Sequence, residues 1–296
     1  MFNCCTLSDY NYLLKGLVLY DSLEKYTKED FILYYLCLDD KTFDILNELN
    51  LEKIRPVSLK ELEYNSPDLQ RIKQQISYKE YCFTLSSYFT WYLLKTKNIE
   101  SCLYVDSDII FYDSLKRVFD TVKDKSIGII THRHIKDLNH YVGYFNVGIV
   151  FFKNNIKGME SLTFWKNLML DPSNEYSKEY GTCGDQRYLV LLYKMFEKHV
   201  KIIDEDIHYS APYNFPLYSY EDFKLENKQI GWKGKKDNIV FCHFIKFKII
   251  DFDNNKFQAT ETIQEEQELF KIPQIKELYN EYFQLNKECL KKYLTN

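Results

Sequence analysis

One stretch constrains the fold above all others. A short apolar run, Cys102 to Val105, leads into Asp106-Ser107-Asp108, and Ile109-Ile110-Phe111 follow at once. Side chains alternate along an extended chain, so acids two residues apart point to the same side and can share one cation. On its own such a triplet is weak, because charged residues mostly lie exposed and Asp-X-Asp is frequent in loops. The apolar flanks change the reading. Unpaired acids would be costly there, and a divalent metal supplies the compensating charge. Hard ions such as Mn²⁺ and Mg²⁺ favour carboxylate oxygens and leave positions open for phosphate.

The other apolar runs place this strand in an alternating α/β chain. Phe2 to Leu7 reads as a first strand and Tyr12 to Lys25 as a helix, with Leu13, Leu14, Leu17 and Val18 at helical spacing. Phe31 to Leu38 reads as a second strand that breaks at Asp39-Asp40. Leu59 to Lys79 is polar and contains Pro67, which predicts irregular structure or short helices crossing the sheet. Glu80 to Leu94 reads as a helix leading into Cys102 to Val105. Ser126 to Ile130 and Phe145 to Phe152 read as strands buried on both faces. Helices are expected over Met159 to Met169 and Asp185 to Lys198, and a late strand over Asn238 to Phe244. Glu261 to Leu294 reads as one or two helices with Leu269, Ile272, Ile275, Leu278, Tyr282 and Leu285 inward. No repeat and no Ser/Gly/Pro-rich linker divides the chain. The expected organisation is one α/β domain over residues 1–250 with a helical extension over residues 251–296 packed on or near it.

Composition removes several classes of function. A formal charge of −4 gives no general pull toward a nucleic-acid backbone, so nucleic acid is not an expected partner. Eight Cys lack CxxC spacing and read as buried reduced thiols. The opening MFNCCTLSDYNYLLKG lacks the pattern of a secretory signal, and no segment approaches transmembrane length. The expected location is the cytoplasm, with peripheral contact on the inner face of the membrane as an additional expectation.

Further motifs follow in a fixed order: T-L-S-D-Y-N-Y from Thr6 to Tyr12, Cys37-Leu38-Asp39, L-Y-V-D-S-D-I-I-F-Y-D-S-L from Leu103 to Leu115, Tyr144 to Gly148, Cys183-Gly184-Asp185-Gln186 and Phe241-Cys242-His243-Phe244. In this order they resemble the GT-A glycosyltransferases, most nearly bacterial relatives of glycosyltransferase family eight, over about residues 1 to 246. The resemblance implies a mixed, mainly parallel sheet flanked by helices, with a C-terminal helical extension. It implies donor contacts from Thr6, Asp9, Asn11, Tyr12, Asp39, Ser107 and Asn146, with Asp9 and Asn11 near the base and ribose and Tyr12 stacking. It implies a metal held by Asp106, Asp108 and His243, a set that suits Mn²⁺ or Mg²⁺. Asp185 and Gln186 are the implied catalytic pair, beside the sugar and its anomeric carbon. The donor implied is a nucleotide sugar, with UDP favoured, and the reaction is transfer with retention of anomeric configuration.

Each residue also has a plainer reading. Tyr12 could pack, Gly148 could relieve crowding in a strand, His243 could be a core histidine, and Asp185 could be a helix N-terminal acid. The chain departs from the family in its basic residues. The helix Y-C-F-T-L-S-S-Y-F-T-W-Y lacks an internal Arg or Lys, leaving Lys79, Arg71 or a residue from elsewhere, and H-F-I-K-F-K puts Lys246 close after His243. Lys246 or Lys248 is the diphosphate candidate, with Lys246 the nearer to His243. Glu80 to Thr84 and Ala211 to Asn214 resemble the surface-polysaccharide and lipopolysaccharide branch, which implies a glycan or lipid-linked acceptor, with Tyr213 and Asn214 on its side. His132, Arg133 and His134 are read as a solvated loop in preference to acceptor contacts. Two rival readings stand beside this one: a silent sugar-nucleotide or glycan-binding protein, and a phosphatase of the haloacid-dehalogenase type. Membrane contact would run through the C-terminal helix, although a packed helix with a solvated face is the expected state.

Overall fold

Alternation within the apolar strands decides which layer each side chain joins. The computed structural model describes residues 1–64, 66–134, 143–177 and 185–295. Its first strands are β1 (Phe2–Ser8), β2 (Phe31–Cys37), β3 (Ile54–Ser58) and β4 (Ser101–Val105). Cys4, Leu33, Tyr35, Leu103 and Val105 enter one core, whereas Cys5, Leu36, Cys102 and Tyr104 enter the other. The two-residue period of an extended chain requires this division, and continuous apolar runs are what a sheet covered on both faces needs.

The remaining strands of this sheet are β6 (Ile127–Thr131), β7 (Phe145–Lys153) and β8 (Val200–Ile202), with the short β5 (Ile109–Phe111) leaving it. Their order is β3-β2-β1-β4-β7-β6-β8, and β7 alone runs against the rest. The sheet is mixed and mainly parallel, as expected. Helices α1 (Tyr10–Tyr26), α2 (Asp40–Leu49) and α6 (Leu115–Val122) supply the Cys4 side. The Cys5 side is covered by α3 (Leu59–Tyr64), α4 (Pro67–Lys73), α5 (Tyr78–Thr96), α7 (Ile156–Met169) and α8 (Asp185–Phe196). The Leu59 to Lys79 stretch thus resolves into short helices and the start of α5. A Ser77–Glu80 capping box begins that helix.

A second sheet joins β5, β9 (His208–Ser210), β10 (Gln229–Trp232) and β11 (Lys235–His243), with β11 at its centre. Strands of three or four residues carry too few side chains for a recognisable alternation, which is why sequence pattern missed them. Behind this sheet lie a hairpin of β12 (Lys248–Asp251) and β13 (Lys256–Gln258) and two helices, α9 (Ile263–Leu269) and α10 (Pro273–Tyr293). Ile275, Leu278, Tyr279, Tyr282 and Phe283 are buried with Ile110, Cys242 and Phe244 in a third core, where the Phe244 and Tyr282 rings stack at 4.0 Å. Ile272 and Leu285, expected inward, are half-buried against it. Residue 250, the expected domain boundary, falls inside β12. No helix among the described residues is long and apolar enough to cross a membrane.

Candidate active site

Three backbone hydrogen bonds make the Asp106–Asp108 turn the crossing point between the two sheets. Asp106 N donates to Gly148 O of β7 at 2.9 Å, and Ile109 N donates back to Asp106 O at 3.1 Å. Phe244 N, just after β11, donates to Asp108 O at 2.9 Å, in register with the Ile109–His243 pair. The chain therefore leaves one sheet, turns on the two acids, and enters the other beside the last residue of β11. His243 Nε2 lies 3.0 Å from Asp108 Oδ1 and 3.6 Å from Asp106 Oδ2. One ligand atom from each residue falls within 4.8 Å of the others, a grouping that could hold a metal ion. Tyr104, two residues back on the same face, donates its hydroxyl to Asp106 Oδ1 at 2.8 Å and leaves Oδ2 toward the cluster.

The cluster's electrostatics favour a cation. Burial raises the Asp106 carboxyl and the neighbouring Asp108 charge raises it further. Burial opposes ionisation of Asp108 too, yet His243 and then Lys15 hold it down at about 2. Burial alone would lower His243, but the two carboxylates raise it above its ordinary value. Two acids and an imidazole that draw in positive charge this strongly fit a hard or borderline divalent ion. His243 Nδ1 is buried without a hydrogen-bond partner among the described residues.

Gly148 explains how the imidazole comes so close. A Cβ built on Gly148 would lie 2.6 Å from Asn146 Oδ1 and 2.7 Å from His243 Nδ1. Its N–H donates to that same Asn146 Oδ1 at 2.7 Å. Gly148→Ala is expected to cost about 1–3 kcal/mol of stability through overpacking, and to weaken Mn²⁺ affinity by displacing His243. Denaturant unfolding together with metal titration checks this, and an unchanged metal affinity would show that the imidazole is free to move.

The sugar-side candidates converge on the same region. Asn146 Nδ2 lies 3.1 Å from His132 Nε2, while His132 Nδ1 lies 2.8 Å from Gly143 O. A carbonyl only accepts, so His132 carries its proton on Nδ1 and accepts from Asn146 through Nε2. Burial, then His134, lowers His132 to about 3, which keeps it neutral. Asp185 opens α8 and is buried, with Ser86 Oγ donating to its Oδ2 at 3.0 Å and Gln186 N to its Oδ1 at 2.9 Å. Burial and the Asp106 charge push its carboxyl up to about 7. Gln186 is half-buried. Cys183 and Gly184 of that motif lie outside the described residues.

Some of the residues expected to contact the nucleotide have clear capping roles. Asp9 caps α1, accepting from Tyr12 N at 3.3 Å and from the exposed Asn11 at 3.3 Å. Asp39 caps α2 and accepts from Tyr10 N and Thr42 N, both at 2.7 Å, tying the two helix starts together. Thr6 is fully buried on β1 with its hydroxyl unpaired among the described residues, and Ser107 is buried in the turn between Asp106 and Asp108. Tyr12 does not pack away: it is 44% exposed at the mouth of the site. Lys246 stands apart, on a left-handed turn with its Nζ 3.4 Å from Glu261.

No protein-family model matches the chain. Two uncharacterized proteins of Bacillus subtilis (strain 168) are similar to it. YfnD is 27% identical over 84% of this chain and 79% of its own length, and YfnF 25% identical over 94% and 90%. Among solved structures, mouse xyloside xylosyltransferase 1 superposes with a TM-score of 0.57 at 13% identity, over 83% of this chain and 98% of that one. An active-site mutant of LgtC superposes at 0.56 and 15% identity, over 100% and 97%. The galactosyltransferase LgtC with donor and acceptor sugar analogs gives 0.51 at 17%, over 82% and 87%. The fold is that of the GT-A glycosyltransferases. The neighbours show a GT-A fold, not the fold that the haloacid-dehalogenase-type reading would need.

Within this GT-A frame the structure corrects one reading and adds one residue. His132 is buried, and Arg133 Nε pairs with Asp204 Oδ2 at 2.7 Å with both side chains nearly inaccessible, so the two are not a solvated loop. His134 is half-buried and stacks on His132, with Tyr213 closing the group at 4.9 Å from His134. Asn214 is fully buried and accepts from Ala211 N at 2.8 Å, holding its own turn. The added residue is Lys15, whose ammonium lies 3.9 Å from Asp108 Oδ2. Its signal was available as the i,i+3 spacing from Tyr12 on one helix face. Of the basic candidates near the α5 helix, Arg71 pairs with Asp68 on its own helix at 3.2 Å and Lys79 lies over the Phe83 ring.

Proposed function

We propose that the chain transfers a sugar from a nucleoside-diphosphate donor, UDP-sugar favoured, to a glycan or lipid-linked acceptor in surface-polysaccharide synthesis, with retention. The observation that carries this is the Asp106, Asp108 and His243 cluster at the sheet crossing of a GT-A fold. Mn²⁺ or Mg²⁺ bound there would neutralise the diphosphate and offset the charge that builds on the leaving nucleoside diphosphate. Tyr12 offers its exposed ring to the base, with Asp9 and Asn11 beside the ribose. Ser107 and Thr6 line the turn and the strand end beneath the donor, and Asp39 fixes the two helix starts around it. Asn146, oriented by neutral His132, binds the sugar. Asp185, oriented by Ser86 Oγ and Gln186 N, grips sugar hydroxyls through the remaining lone pairs of its oxygens, and Gln186 faces the anomeric carbon. The acceptor approaches past Tyr213 and His134.

Membrane contact through the C-terminal helix is not part of this proposal. Its apolar face is buried in the third core, and Lys287 and Lys292 are engaged with Phe252 O and Asp21.

A thermal-shift screen of UDP, GDP, CDP and ADP with and without Mn²⁺ tests the reading. One of them, UDP by preference, should stabilise the protein only with Mn²⁺, by about 2.7 kcal/mol at a hundredfold excess over its Kd. Incubation with the matching nucleotide sugar should then release nucleoside diphosphate when acceptor is supplied. Metal-independent binding without turnover would instead favour the silent sugar-nucleotide-binding reading, and no stabilisation by any of the four would end the nucleotide-sugar reading.

A further inference from the structure

A nucleoside diphosphate that stacks its base on Tyr12 and reaches a metal at Asp106 and Asp108 must lay its phosphates between the two. Among the described residues, one lysine lies in that interval. Lys15 Nζ lies 4.2 Å from the centroid of the Tyr12 ring and 3.9 Å from Asp108 Oδ2. Its side chain is 9% exposed. We propose that Lys15 is the residue that meets the donor's diphosphate, in place of Lys246. The inference rests on the nucleotide-sugar reading given above.

The way Lys15 is held supports the assignment. An ammonium has three donors, and here only one makes a hydrogen bond among the described residues, to Phe247 O at 2.9 Å. Asp108 is too far to accept a hydrogen bond, and its Oδ1 is engaged by His243. The carbonyl holds the ammonium in place without adding a negative charge, and the one carboxylate beside it, Asp108, is shared with His243, so two donors stay free for an incoming anion. Leaving donors of a buried cation unfilled is costly, and phosphate oxygens are the acceptors that best fill them.

The chain builds this position from two distant pieces. Tyr12 and Lys15 share a face of α1, three residues apart. The Phe247 carbonyl comes from the turn after β11, where Phe247 N donates to Phe244 O at 3.1 Å and Lys246 takes φ of 68°. That turn sends the Lys246 side chain outward, where it is 46% exposed and meets Glu261. Lys248 is exposed but close enough for its charge to act on Lys15, so it adds to the positive field without entering the buried interval.

Calorimetry on the full chain with saturating Mn²⁺ tests this, with UDP and uridine as probes. Lys15→Met should weaken UDP by about 10- to 100-fold, the loss of a charge-assisted contact to phosphate, and leave uridine unchanged. Lys15→Arg should restore most of the UDP affinity, and Lys246→Ala should bind UDP as the unaltered protein does. Equal UDP affinity in Lys15→Met, an equal loss for uridine, or transfer of the loss to Lys246→Ala would each overturn the assignment. Should Lys15→Met fail to fold, the lysine ammonium resonances of the unaltered protein decide. The signal missing from Lys15→Arg should shift with UDP and not with uridine, and a signal that UDP leaves in place overturns the proposal. If the unaltered protein binds none of UDP, GDP, CDP or ADP, both readings fall together. Tight UDP binding that Lys15→Met retains removes the Lys15 role alone.

Discussion

Asp108→Ala should abolish Mn²⁺-dependent nucleotide binding and lower sugar transfer by about 10²- to 10³-fold or more, the scale on which charge stabilisation of a leaving group acts. The expectation follows from position. Asp108 is the acid whose Oδ1 meets His243 at 3.0 Å and whose Oδ2 faces Lys15, so its loss removes one ligand and unbalances two cations. Asp108→Asn keeps the shape and should lose nearly as much, because charge is what the site supplies. The change should also alter stability against pH. His243 is raised in the folded protein by Asp108 and Asp106 against the effect of burial. A raised histidine adds stability that is complete below its unfolded pKa of about 6.5 and is lost as pH rises through its folded value. In Asp108→Ala that dependence should shrink. Metal titration by calorimetry and unfolding curves across neutral pH measure both effects. Mn²⁺ affinity retained in Asp108→Ala would remove this residue from the metal site.

The largest effect on folding should come from Asp204→Ala, with a cost of about 3–5 kcal/mol because Arg133 is left as a buried unpaired cation. Asp204 accepts from Thr131 N at 2.9 Å and Thr131 Oγ1 at 2.6 Å, and its Oδ2 forms an ion pair with Arg133 Nε at 2.7 Å. Arg133 also packs over the Trp232 ring and donates to the Tyr218 hydroxyl, so the pair ties the end of β6 to the second sheet. Replacing both partners, as in Asp204→Leu with Arg133→Met, should recover much of the loss, since no charge is then buried alone. Urea denaturation gives the comparison. A single-variant cost below about 1 kcal/mol would mean the pair is hydrated like an ordinary surface ion pair. His132, next in sequence to Arg133, orients Asn146, so partial loss of donor affinity should accompany the destabilisation.

Most of the α/β order was readable because the long strands are rich in apolar residues and the long helices repeat theirs at helical spacing. The acid pair could be recognised as unusual for the same reason: Val105 and Ile109 bracket it with side chains that seek a core. By contrast, α2 and β3 were not anticipated, and the strands of the second sheet were mostly too short to carry a pattern. Arg133 was taken for a solvated residue because its partner lies 71 residues away, beyond any local signal.

By itself the sequence determined the alternation of layers, the placing of two acids at the end of a buried strand, and the order of the blocks containing Asn146, Asp185, Gln186 and His243. Only the tertiary structure decided which charges meet. His243 reaches Asp108 because β11 pairs with β5, and it fits there because Gly148 on β7 has no Cβ. Lys15 lies beside the same acid because a carbonyl 232 residues further along holds its ammonium. Periodicity records whether a side chain is buried, whereas the partner it meets is set by strand order and register, which residues distant in the chain establish together.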